Sequence, residues 1–319
     1  MFKKISQFAF TILSIPFVTD AHVRWFAHEE AFVRPYSWTD LPVIASIVIV
    51  LLVVFIGVYL EKKLKTPKWF DVFTEKWAPN ILSLASMGFG LSFLIFTYNG
   101  FVFAPPLNTH DVLLLGIQGI AGAMILFGIY ERVAGILILI LFGLSVNEFG
   151  FADVMDTFEM LGFAVYAMII GRPKWKIIDT DIFLKFRHKL HAYGLPLLRV
   201  GTGLNLIILG FSEKILSPSL TANFLSTHPW NFMEMLGFHS YSNYWFAYSA
   251  GVSEALFGLF FLLGLVTRTT TLALAVFLVT TLYLLGPMEL IGHLPHFSIA
   301  IVLIILGSGS LLKIVKNTN

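Results

Sequence analysis

The sequence predicts an all-α, polytopic membrane protein of about nine transmembrane helices, eight of them in two parallel four-helix repeats. Three observations carry this reading. Only 13% of the 319 residues are charged and 57% are hydrophobic, against roughly 25% charged in an ordinary soluble domain. Apolar runs close to the roughly 20 residues that span hydrocarbon recur along the chain. Glycines also recur at a constant offset between its two halves. Continuous apolar runs are not the alternating ten-residue pattern of a strand barrel, so the spanning elements are read as helices.

Residues 1–21 open with Lys3 and Lys4, run through a short apolar stretch and end on Thr19, Asp20 and Ala21. This is the pattern of a secretory signal cleaved after Ala21, or of an uncleaved first helix interrupted by Pro16. Residues 22–78 hold an external segment, the first membrane helix over about 42–60 and a basic loop with Lys62, Lys63, Lys65, Lys68 and Lys76. The first repeat covers 79–172, with helices near 80–98, 111–129, 133–147 and 157–171. A basic linker at 173–191 leads to the second repeat at 192–319, with helices near 193–212, 244–266, 269–286 and 295–312. The three lysine- and arginine-rich segments fall on one side of nine crossings, which the positive-inside rule makes the cytoplasm. Residues 22–40 and most histidines are then external.

The repeat rests on residue numbers. Gly122 and Gly258, Gly128 and Gly264, Arg132 and Arg268, Gly150 and Gly286, and Gly171 and Gly307 are each 136 apart. Gly88 and Gly90 match Gly201 and Gly203 at an offset of 113, so about 23 residues are inserted between the first two helices of the second copy. Four helices per copy is an even number, so both copies share one orientation, unlike inverted transporter repeats.

Polar residues inside these helices are the candidate sites, because a carboxylate at the bilayer centre costs about 2.5–3.5 kcal/mol on insertion scales. Within AGVSEALFGLFFLLGLVTR, residues 250–268, Glu254 lies beside a small-residue face of Ala247, Gly251, Ala255 and Gly258, which turns it toward the protein. Glu254 and Lys214, which can reach inward from the end of the preceding helix, are the catalytic candidates. Gln118 occupies the place of Glu254 in the first copy and is a neutral cofactor-binding candidate. Arg268 is fourteen residues from Glu254, about 21 Å along a helix, and is read as an anchor, as is Arg199. In GPMELIGHLPHFSIA, Pro295 suits the first turn of the last helix. That leaves Glu289 and His293 in the preceding loop with His296 just inside the helix, a set suited to cofactor binding or a divalent metal. Cleavage after Ala21 makes His22 the mature N-terminus, whose amine and imidazole chelate copper, with His28 or the His293 and His296 pair completing the ligands.

No cysteine is present, so the chain has no thiol relay or thiolate metal site. The net charge of +2 gives no ground for a nucleic-acid partner, and dinucleotide, P-loop and haem-attachment motifs are missing.

The second repeat resembles the DoxX/DoxD-like family of small four-helix membrane proteins. The resemblance rests on LLRVGTGLNLIILGFSEKIL with Arg199, Gly203, Gly210 and Lys214, on the stretch from Gly251 through Glu254, Gly258 and Gly264 to Arg268, and on GHLPH. It covers about 195–312, and 82–172 as a degenerate copy. The resemblance implies a component of a membrane redox system, such as a subunit of a quinone-linked oxidoreductase, with quinone as cofactor and a redox partner protein beside the lipid bilayer. Two alternatives stand: a copper or other divalent-metal protein, and a non-enzymatic assembly factor. Sequencing the mature protein's N-terminus separates the two readings of residues 1–21: His22 first means cleavage, and Met1 first means a retained helix.

Overall fold

A helix stands at each of the nine apolar runs, and five of these are long and apolar enough to cross a membrane by length and composition. The computed structural model describes residues 36–179 and 184–315; His22 and His28 lie outside the described residues. Helix α1 spans Leu41–Lys63 and α2 spans Lys68–Tyr98. A short antiparallel ribbon follows, with β1 at Phe101–Val102 and β2 at Ala104–Asn108. Then come α3 (Val112–Phe127), α4 (Glu131–Phe149), a short α5 (Phe151–Met155), α6 (Glu159–Ile169) and α7 (Leu184–Leu209). Helix α7 continues into a π turn at Gly210–Ile215. The segment inserted in the second half folds as α8 (Pro218–Thr227) and α9 (Phe232–Met235). Helices α10 (Asn243–Leu263), α11 (Thr267–Leu285) and α12 (Pro287–Leu306) complete the chain.

Two local expectations are corrected. The chain is not wholly helical, because Pro105 and Pro106 push the connection after α2 into extended backbone, which pairs as the ribbon. The last helix begins at Pro287, not at Pro295. Pro287 takes the first turn behind Gly286, whose φ of 87° ends the preceding helix as few other residues would. Pro295 is therefore internal, and Glu289, His293 and His296 all belong to α12.

The helices close into a ring. Helix α2 packs on α3, α3 on α4, α4 on α6, α6 on α7, α7 on α10, α10 on α11, α11 on α12, and α12 returns to α2. Each half's last helix thus packs on the other half's first, where two self-contained bundles were the simpler expectation. Small residues permit the exchange. A Cβ on Gly162 of α6 would stand 3.2 Å from Gly201 Cα of α7, and one on Gly88 of α2 would stand 3.0 Å from Ser298 Oγ of α12. The faces that permit close approach point at the other half. Inside the ring Phe89 and Phe163 stack with centroids 3.4 Å apart, beside Phe93, Phe103 and Phe142. Lipid is as apolar as these rings, so dispersion and shape hold the helices rather than escape from water.

Within each half, first and second helices meet through paired glycines. A Cβ on Gly90 would lie 2.7 Å from the Gly122 carbonyl, and one on Gly203 would lie 2.7 Å from that of Gly258. Gly128 and Gly264 end α3 and α10 with φ of 64° and 66°. Beside each of these ends a guanidinium donates to backbone carbonyls. Arg172 Nη1 donates to Leu126 O at 3.2 Å. Arg199 donates to Phe261 O, Leu262 O and Leu312 O. Arg268 likewise caps Ile304 and Ile305. Arg172 also faces buried Glu131 at 3.8 Å; burial lowers its pKa, and the carboxylate draws it back up.

Helix α1 stands outside the ring, with Val43 and Gly57 its buried residues. It is tied by Ser46 Oγ to the Tyr248 hydroxyl at 2.6 Å, and by Glu61, which accepts from Val266 N at 2.7 Å.

Gly264→Ala is expected to lower stability in detergent by at least about 1–2 kcal/mol, the cost of a side chain in left-handed backbone, with added loss from Arg199, whose Nη1 would stand 3.0 Å from the new Cβ. Gly143→Ala, a helical glycine with open space around it, should be neutral or stabilising in the same unfolding assay.

Candidate functional site

A π turn carries one residue more than an α turn, and such insertions often lie at functional sites. Here Gly210 starts it, pressed so closely on α10 that a Cβ would sit 2.7 Å from the Gly251 carbonyl. The turn buries Glu213 and swings Lys214 across to α10. Lys214 Nζ lies 2.8 Å from Glu254 Oε2 and 3.7 Å from Glu213 Oε2. The Glu213 side chain is 2% exposed, whereas Lys214 and Glu254 keep 15% and 21% of theirs open. One ammonium therefore sits between two carboxylates, one sealed and one reachable. With both carboxylates ionised the trio carries one net negative charge, and a single added proton brings it to zero.

A second polar group lies at the seam between the halves. Buried Glu159 of α6 places Oε1 3.4 Å from His296 Nε2 of α12. His293, one turn earlier, has its ring centred 5.2 Å from that of His296. Nearby, Phe158 N donates to Asn205 Oδ1 at 2.9 Å, and Ser212 Oγ lies 3.5 Å from Asp156 Oδ1. Ser212 belongs to the π turn, so the two groups are neighbours at the same end of the ring. Glu159, His296, Thr202 and Asn205, among mostly apolar side chains such as Leu206, Phe261 and Leu303, line a cavity of about 20 Å³, far too small for an aromatic ring.

The structure brings together Lys214 with Glu254, and His293 with His296. Gln118 is committed elsewhere: its Oε1 accepts from Phe103 N at 2.7 Å, and its Nε2 donates to Phe101 O at 2.7 Å and to Thr97 Oγ1 at 3.2 Å. It pins the ribbon to α2 and α3. Glu289 is placed by its backbone on α12. Among the described residues no three His, Asp or Glu side chains gather in a group that could hold a metal ion. Sequence reasoning passed over Glu213 and Glu159. Glu159 carried a usable signal, being a carboxylate inside an apolar run. Glu213 did not, because only the π turn distinguishes an inward residue 213 from an outward one.

Residues 194–287 match the DoxX family model. The match covers most of α7, the π turn, the inserted segment, α10 and α11, under a third of the 319 residues. It contains Lys214 and Glu254 and stops short of His293. No curated protein and no solved structure matches the chain. The resemblance is thus shown for that segment, and with the apolar helices it marks an integral, multi-pass membrane protein.

Lys214→Met removes the ammonium that Glu213 and Glu254 share and should cost about 3–5 kcal/mol. Lys214→Met/Glu254→Gln should cost less than the single change, as a denaturant-unfolding cycle in mixed micelles would show.

Proposed function

We propose that this DoxX-like membrane protein is a component of a quinone-linked redox system, with Lys214 and Glu254 meeting the quinone head group and Glu159 with His296 serving as a deeper proton station. The observation that carries the reading is the partly open ion pair, with Nζ and Oε2 2.8 Å apart. Reduction of a quinone takes two electrons and two protons. The electrons come from an external donor protein. Lys214 is placed to donate a hydrogen bond to a quinone carbonyl and to stabilise charge that develops on its oxygen. Glu254, freed from part of that bond, exchanges a proton with the same oxygen. The cavity at the seam is too small for the head group, so the ring would sit on the open side of the pair.

The proposal includes a duplicated four-helix unit with one working copy. Gly128 and Gly264 share left-handed backbone, Gly150 and Gly286 have φ of 89° and 87°, and each pair is 136 apart. Gln118 corresponds to Glu254 (254 − 118 = 136) and Phe101 to Lys214 (214 − 101 = 113). The contact is therefore a neutral amide bond to a carbonyl in the first copy and an ion pair in the second. A sealed, neutral link suits a structural role; a charged, partly open one suits chemistry. The basic α1–α2 loop and the arginine-capped helix ends gather opposite Lys214, which favours an external site by the positive-inside rule.

The purified protein should bind a short-chain benzoquinone saturably. Glu254→Gln and Lys214→Gln should each weaken that binding at least tenfold, the scale of a hydrogen bond to a charged group, with helix content unchanged. Binding that is non-saturable, or indifferent to both substitutions, contradicts the assignment.

A further inference from the structure

Helix α2 has 31 residues, about 46 Å at 1.5 Å per residue, whereas the hydrocarbon core is about 30 Å thick. Its first ten or so residues therefore extend past the core. In that overhang Trp69, Val72, Phe73 and Trp77 recur at helical spacing and are exposed, Trp69 at 70% and Val72 at 66%, with the Trp69 and Phe73 rings 5.7 and 6.3 Å from that of Phe70. Phe70 lies under the Arg268 guanidinium at 5.2 Å. Lysines surround the stripe. Lys62, Lys63, Lys65, Lys68 and Lys76 are all exposed, and Lys76 Nζ sits 5.3 Å over the Trp77 ring. The opposing carboxylates are three. Glu61 is engaged by Val266 N at 2.7 Å, while Asp71 and Glu75 lie one helical turn apart on the side of α2 away from the stripe.

The end of a spanning helix that carries exposed aromatic residues and basic neighbours stands in the interfacial layer, where tryptophan and lysine settle at head-group level. Clustered lysines beside a spanning helix attract anionic lipid. We infer that the elbow formed by residues 61–77 is a binding site for the head groups of anionic phospholipids. The tryptophans set its depth at the acyl boundary, and the lysines meet the phosphates. Each lysine near the surface is expected to contribute about fivefold in affinity at low salt, by the roughly 1 kcal/mol per basic residue of such segments.

The test uses the full chain in phosphatidylcholine bilayers carrying a trace of spin-labelled phosphatidylglycerol or spin-labelled phosphatidylcholine, with the motionally restricted fraction of each read by electron paramagnetic resonance. Wild type should prefer phosphatidylglycerol several-fold. The preference should vanish in Lys62→Gln/Lys63→Gln/Lys65→Gln/Lys76→Gln, which alters only exposed side chains, and in about 1 M salt, where the screening length is ~3 Å. Equal restriction of both lipids by wild type overturns the inference. So does a preference that survives the quadruple change, or one that dilute inorganic phosphate displaces, since the last would mark a site for free anions. None of these outcomes depends on quinone binding.

Discussion

An ammonium and a carboxylate held 2.8 Å apart inside a bundle of apolar helices impose their terms on everything around them. Hydrocarbon offers no water to either ion, so each must find the other, and the backbone must bring them within reach. The π turn at Gly210–Ile215 does this by displacing Lys214 toward α10. The glycines at 210 and 251 do it by letting two backbones nearly touch. The same demand is met at the opposite end by Arg172, Arg199 and Arg268, whose guanidinium groups are spread over the carbonyls that helix termini leave unpaired. One end of the ring is thus closed by donors to backbone. The other holds acids, an amine and imidazoles whose partners are side chains, and side-chain partners can exchange protons.

The ring arrangement gives the second polar group its character. Because α6 packs on α7 and α12 on α2, Glu159 from one half and His296 from the other meet at the seam. The contact therefore ties the halves together as well as placing a carboxylate next to an imidazole. The first half repeats the helix-to-helix link of the second in neutral form, through Gln118.

Much of this was legible in the sequence, and what was legible followed from periodicity and spacing. Apolar runs located the helices, glycines at a fixed offset located the turns and close approaches, and Glu254 stood out as a carboxylate where none is cheap. Its partner Lys214 was identifiable because it ends the helix before. Three things were not legible. The helix start at Pro287 was hidden because Pro295 is an equally good first-turn residue, and only the backbone at Gly286 decides between them. The inward turn of Glu213 depends on a π insertion that no residue pattern announces. The meeting of Glu159 with His296 depends on which faces of two distant helices pack, which small residues allow without dictating. His22 and His28 lie outside the described residues.

Distance in a bilayer is the most direct check on the ion pair. Solid-state nuclear magnetic resonance on protein labelled with 15N-lysine and 13C-glutamate reports dipolar coupling between Lys214 Nζ and Glu254 Cδ, identified by its loss both in Lys214→Gln and in Glu254→Gln and so told apart from any coupling to Glu213. Coupling that places Nζ within about 4 Å of the carboxylate oxygens, the range of a salt bridge, is the result the account predicts. A lysine signal with no carboxylate coupling that depends on residue 214 would contradict it, and with it the site.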